Sequence, residues 1–257
     1  MNKLSLFSGI AGIDLAAKWA GMKTRAFCES EPFPQKVLRK HWPDIPIYDD
    51  VRTLTRARLE EDGIITASRA IDIVSAGYPC QPYSVAGKRE GKEDDRALWP
   101  EVARIISEIR PRWFVGENVA GHITLGLDGV LDDLDNLDYT SQPFVIPAAA
   151  VGANHKRDRI FIISHSNSKR LQGGAYERSG SEMWKRIEQQ FSRLLPASPQ
   201  PKVSTADFSR EGYGLSRKLD ADRIKALGNA VYPYQIFPIL AAIKAIDDYM
   251  GSREGRA

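Results

Sequence analysis

The chain holds little cysteine, two residues in 257, and Cys28 and Cys80 stand in different surroundings. Such a pair offers no disulfide framework and no Cys/His spacing suits a metal ion, so no metal site and a reducing, cytoplasmic setting are expected. No uninterrupted apolar run approaches the roughly 20 residues of a membrane span. Residues 3–17 have the apolar length of a leader, but Asp14 interrupts them and a glycine turn divides them, which argues against one. Net charge is also scarce, at +3, too little by itself to argue for a nucleic-acid partner. Nothing recurs at solenoid length.

What is present is a chain with 42% hydrophobic residues, enough for one large domain with a small appendage. Residues 4–8, a glycine turn and residues 14–20 read as strand, turn and helix. Further strands are expected at 24–29, 71–76, 113–117, 139–146 and 160–164, with helices at 33–41, 97–109 and 130–136. That alternation predicts an α/β fold, a mainly parallel sheet with helices on both faces. After Ser164 the sequence turns polar and Gly/Ser/Pro-rich, with one amphipathic helix expected at 183–195. Apolar character returns at 224–250, read as one closing helix against the sheet. Basic residues outnumber acidic ones between His165 and Arg223, which suits either a phosphate-contacting surface or a solvated basic face.

Cys80 lies in Gly77-Tyr78-Pro79-Cys80-Gln81-Pro82-Tyr83-Ser84, just past a short apolar strand. This is the carboxyl edge, where open α/β sheets bind their ligands. A lone cysteine more often packs as a small hydrophobe, and Cys28, inside a strand, is read that way. The prolines flanking Cys80 fix the backbone and remove donors, which favours display. Phe7-Ser8-Gly9-Ile10-Ala11-Gly12 follows the first strand and opens the first helix, so a ligand would approach the backbone there. The third glycine of the dinucleotide fingerprint is missing, which argues against a dinucleotide-dependent oxidoreductase. Glu29, at the end of the next strand, could accept from a ribose diol, and Asp50 from an adenine amino group. A sugar and a base without phosphates describe the adenosyl group of S-adenosylmethionine, although each carboxylate alone would equally suit a solvated surface.

In this order the pieces resemble the cytosine-5 DNA methyltransferases over residues 3–165 and 223–245. Phe7–Gly12 is similar to the family's cofactor loop, with Ala11 where glycine is usual, and Glu29 and Asp50 match its acidic cofactor ligands. Pro79-Cys80-Gln81 is similar to the catalytic loop, which Ser84 and Gly87 continue, and Asp94-Asp95-Arg96 with Leu98 to the segment that follows. Glu117-Asn118-Val119 matches the second catalytic signature. Gly228-Asn229-Ala230-Val231 with Pro233 resembles the C-terminal signature that completes the cofactor pocket. Arg157-x-Arg159 resembles the paired arginines near the target base, with His155 where glutamine is common.

The resemblance implies a Rossmann-like S-adenosylmethionine-dependent methyltransferase fold, with residues 1–165 and 223–257 as cofactor and catalytic domain and 166–222 as a short, irregular target-recognition region. It implies Cys80 as nucleophile, Glu117 as acid, and Asn118, Arg157, Arg159, Pro79 and Gln81 as the rest of the catalytic set. Phe7, Ser8, Gly9, Ile10, Ala11, Gly12, Glu29, Asp50, Val51, Leu98, Asn229 and Ala230 would hold S-adenosylmethionine. Ser84, Lys88, Arg89, Arg96 and Lys156 would contact double-stranded DNA, and the loop 84–92 would close over a flipped cytosine. A monomer in a bacterial or phage-infected cytoplasm, with no membrane partner, is the expectation. In the recognition region Trp184, Tyr176, Phe208 and Tyr213 suit base or sugar stacking or a small core of their own. A transfer-RNA enzyme of this architecture carries a Cys-Phe-Thr signature there, and residues 166–222 hold no cysteine. An inactive binder of DNA or adenosyl ligands is the other alternative, disfavoured by intact Cys80, Glu117, Arg157 and Asn229.

Overall fold

The computed structural model describes residues 1–79, 98–167 and 217–254. Its seven-stranded sheet comprises β1 (Asn2–Leu6), β2 (Lys23–Cys28), β3 (Ile47–Tyr48), β4 (Ile73–Ala76), β5 (Trp113–Val119), β6 (Tyr139–Ile146) and β7 (Arg159–Ser166), in the order β3-β2-β1-β4-β5-β7-β6. The first five strands run parallel, and β7 alone runs against its neighbours β5 and β6. The exception follows from the connection: residues 147–158 hold only a one-turn 3-10 helix (Ala148–Val151). That is too short for a crossover, so β6 and β7 form a hairpin.

Helices cover both faces, which is why the central strands read as unbroken apolar runs. Alternate residues point to opposite sides: Val74, Phe114, Ile160 and Ile162 meet α3 (Arg56–Glu61), α4 (Trp99–Ile109) and α6 (Leu127–Asn136). Ile73, Val115, Phe161 and Ile163 meet α1 (Gly12–Trp19) and the last helix. A smaller cluster sets α2 (Pro32–His41) on β2 through Phe27 and Leu38, and α5 (His122–Leu125) follows β5. The two-residue β3 and the short α3 and α5 carry too little periodicity to be read from sequence.

The closing segment is two helices rather than one, α7 (Arg217–Asn229) and α8 (Pro233–Glu254). The chain breaks at residues 230–232 because Pro233 suits the first turn of a helix and disfavours helical backbone in the residue before it. By length and composition Ala221–Met250 passes for a membrane span, although charged residues and the break at residues 230–232 interrupt it. Its side chains Ile236, Ile239, Leu240 and Ile243 are nevertheless fully buried against the sheet.

Two polar anchors fix the helices of this face. Fully buried Lys3 reaches Asp14 at 2.5 Å, and the hydroxyls of Ser5 and Thr24 donate to the same carboxylate at 2.8 and 2.9 Å. Burial holds the Lys3 amine below its usual range against the pull of Asp14. This cluster ties the first turn of α1 to β1 and β2 and thereby orients the loop between them. At the other end Arg112 donates to Asp72 at 2.8 Å and to Asp247 of α8 at 3.1 Å.

Candidate active site

The turn from β1 into α1 has left-handed backbone at Phe7 (φ 52°), Gly9 (φ 54°) and Ala11 (φ 66°). Such a conformation costs a non-glycine residue about 1–2 kcal/mol, so neighbouring contacts must hold it. Ala11 N–H donates to Ser8 O at 2.9 Å and Ser8 N–H to Cys28 O at 3.2 Å. Gly9 N–H donates to Glu29 Oε2 at 2.7 Å, and Glu31 N–H to Glu29 Oε1 at 2.8 Å. Glu29 is therefore oriented by two backbone donors while each oxygen keeps a further acceptor lone pair. A β-carbon on Gly12 would lie 2.2 Å from Val231 O, so the start of α1 and the α7–α8 junction touch only because position 12 lacks a side chain.

A narrow cleft at the carboxyl edge gathers Phe7, Ser8, Gly9, Ile10, Gly12, Gly77, Glu117, Asn229 and Ala230. Val231 of the C-terminal signature also lines it, as does Ile13, which the sequence did not single out. Ala11 does not: its methyl is buried with Phe27 and Leu38, so it shapes the turn from beneath. Asp50, Val51 and Leu98 stand outside the lining. Asp50 Oδ1 accepts from Arg52 N–H at 2.9 Å, while Val51 and Leu98 join Phe7 in the apolar cluster beneath α4. A larger, open cleft beside β3 is lined by Ser30, Tyr48, Asp49, Arg58 and Asp62, and within it Asp62 accepts from Tyr48 at 2.7 Å and Arg58 at 2.8 Å.

Glu117 is buried near the carboxyl end of β5, and burial pushes its carboxyl up to about 7 against the opposing charges of Arg159 and Arg157. Arg159 Nε lies 2.8 Å from Glu117 Oε1, yet its N–H finds no partner of good geometry among the described residues. The contact is therefore an ion pair by distance rather than an aligned hydrogen bond. A β-carbon at Gly77 would stand 3.2 Å from Glu117 Oε2, so glycine leaves the carboxyl room at the end of β4. Asn118 Nδ2 donates to Tyr78 O at 3.1 Å while its Oδ1 accepts from Val119 N–H at 2.9 Å.

Arg157, expected beside Arg159 at the target base, directs Nη2 elsewhere. It donates to Leu227 O at 2.9 Å, to Gly228 O at 2.7 Å and to Ala230 O. Gln235 Nε2 in turn donates to Ile146 O at 2.7 Å and Arg157 O at 3.0 Å, so the β6–β7 connection and the α7–α8 junction are stapled in both directions. Lys225 of α7 pairs with Glu31 at 3.0 Å. Pro79 and Lys156 are exposed. Cys28 is buried, its thiol pushed up to about 12 chiefly by burial and then by Glu29, which suits packing rather than chemistry. Cys80, Gln81, Ser84, Lys88, Arg89 and Arg96 lie outside the described residues, as do the loop 84–92, the helix expected at 183–195 and nearly all of 166–222.

The family model of the C-5 cytosine-specific DNA methylases matches residues 1–219. The Type II methyltransferase M.AquIA of Picosynechococcus is 30% identical over 245 residues, covering 88% of this chain and 98% of the relative. The Type II methyltransferase M.CviJI of Paramecium bursaria Chlorella virus is 34% identical over 165 residues, covering 63% of this chain and 42% of the relative. The chain thus spans nearly all of the first relative and less than half of the second. The solved structure of the S. pombe Dnmt2 methyltransferase aligns with a TM-score of 0.63 over 97% of this chain and 99% of that chain, at 14% identity, a likeness of fold.

Proposed function

This chain belongs to the C-5 cytosine-specific DNA methylase family, and we propose that it transfers a methyl group from S-adenosylmethionine to carbon 5 of a cytosine in DNA. The observation that carries the reading is a buried carboxyl group, Glu117, that titrates near 7 in the same cleft as the Phe7–Gly12 turn and Asn229-Ala230. A proton donor of that strength beside a glycine turn suits this chemistry.

The residues fit an adenosyl group. Glu29 is preset by Gly9 and Glu31 to accept from a ribose diol, and Gly9, with open space beside it, leaves the backbone of the turn accessible to a ligand. When bound, S-adenosylmethionine supplies an electrophilic methyl group. Carbon 5 of cytosine is too weak a nucleophile to take it unaided, so electrons must first enter the ring. In this reading the Cys80 thiolate forms a bond to carbon 6, helped to ionise by the field of Arg157 and Arg159. The charge that develops on ring nitrogen 3 is met by the Glu117 proton. Once the methyl is in place, carbon 5 loses its proton to a base, the carbon–sulfur bond breaks, and 5-methylcytosine leaves with Cys80 restored. Asn118 keeps the Cys80 loop on β5, and Arg157 keeps the C-terminal signature against the cofactor turn.

A stacked base exposes none of these atoms, so the target must be flipped out of double-stranded DNA. Lys156, with Ser84, Lys88, Arg89 and Arg96, would meet the backbone, and residues 166–222 would read the site, with the chain acting as a monomer in the cytoplasm. Bisulfite sequencing of a plasmid from methylation-deficient cells expressing this chain tests the reading. Methylation confined to one short context, lost in C80S, is expected. No methylation by a folded protein that still binds S-adenosylmethionine would overturn it in favour of a binding role.

A further inference from the structure

The β4–β5 ladder ends at the pair Ala76–Gly116, one residue short of Glu117 on one strand and four short of Cys80 on the other. Past that point backbone pairing no longer sets the spacing between the thiol's loop and the acid's strand. Side chains continue the connection instead. Asn118 Nδ2 holds the carbonyl of Tyr78, and one step further the Tyr78 hydroxyl shares a hydrogen bond with His122 Nε2 at 3.0 Å. Tyr78 is 3% exposed and His122 5%, so water does not compete for this bond. The Tyr78 ring is held as well, edge-on to His122 with centroids 5.5 Å apart and tilted against Trp99 of α4 at 5.0 Å.

Resting on the function proposed above, we propose that His122 is a positioning residue for methyl transfer: through its hydrogen bond to Tyr78 it fixes, relative to Glu117, the point from which the chain leaves toward Cys80. Tyr78 is the last buried residue before exposed Pro79, so whatever fixes its ring and carbonyl fixes where the chain leaves the fold toward Cys80. His122 opens α5 three residues after the end of β5, on the segment that also presents Glu117 and Asn118. The exit of the chain at Tyr78 and the Glu117 carboxyl are thereby referred to one strand. Burial keeps the His122 ring below its usual titration range, so at neutral pH it is an uncharged partner for the phenol. A displacement of about 1 Å at a reacting centre costs on the order of 100-fold in rate, so a bond at this place has leverage on chemistry without touching substrate.

The test uses the full chain and the methylation context found by bisulfite sequencing. Single-turnover methylation, KM for S-adenosylmethionine and trapping of Cys80 on duplex DNA carrying 5-fluorocytosine in that context are measured for wild type, Y78F, H122F, H122Q and Y78F/H122F. Expected is a tenfold or greater loss of methylation and trapping rate in Y78F and in H122F, with KM for S-adenosylmethionine unchanged within twofold. The double variant should be no slower than the slower single, and H122Q, which keeps a polar partner for the phenol, should recover part of the loss. Wild-type rates in both single variants, effects that multiply in the double variant, or an equal rise in KM would overturn the positioning role. Wild-type protein that methylates no cytosine would instead overturn the underlying function, and this role with it.

Discussion

At Glu117 two opposed effects meet, and burial wins over the neighbouring guanidinium groups. The folded carboxyl binds its proton up to about 7, against 4.5 for the unperturbed group, so the fold favours the protonated form. Its stabilising contribution is complete below 4.5 and lost as pH rises through about 7. E117Q resembles the protonated group, so its stability relative to wild type should rise by up to about 3 kcal/mol from pH 4.5 to pH 8. Calorimetric Tm values at both pH values check this, and a difference independent of pH would show an ordinary carboxyl. The same substitution should slow methyl transfer by about 10²- to 10⁴-fold, the usual contribution of a general acid. Glu29 and Glu117 were readable as candidates because each ends a recognisable apolar strand. Arg157 was readable only as one of a pair of arginines, since its partners are carbonyls at Leu227, Gly228 and Ala230, seventy or more residues away. His122 gave no signal for the same reason: its partner Tyr78 lies 44 residues earlier.

Between elements, the decisive contact is α1 against the α7–α8 junction at Gly12 and Val231. G12A places a methyl carbon where a carbonyl oxygen already is, and overpacking of this kind costs about 1–3 kcal/mol. The strain falls on the wall of the cofactor cleft, so S-adenosylmethionine affinity, measured by isothermal titration, should drop by tenfold or more. A G12A protein with wild-type affinity would show that the junction moves aside freely. Sequence marked both sides of this contact as cofactor segments but drew the C-terminal one as a single helix. An apolar stretch of that length gives little sign of an interruption, and the turn chemistry of Gly228, Asn229 and Pro233 was the available clue. The β6–β7 reversal was not read from the sequence, although residues 147–158 are too few for a crossover helix.

For the molecule as a whole, the sheet with helices on both faces was legible because its central strands are apolar runs separated by helical periods. The polar centre of the α1 face was not, because a lysine at position 3 reads as a terminal surface charge. K3M leaves the Asp14 carboxylate buried without its cation and should destabilise the fold by about 3–5 kcal/mol in urea titration. K3M/D14L should recover most of that loss, since an apolar pair replaces a buried ionic one at little cost. Gly12 and Val231 meet across more than two hundred residues of sequence, and this sets an order in time during synthesis. At about 5–20 residues per second, on the order of 10–40 s separate the emergence of the two walls from the ribosome. The strands, Glu117 and Cys80 all leave the exit tunnel before the second wall does, so a nascent chain carries these groups while the cleft is still open on one side.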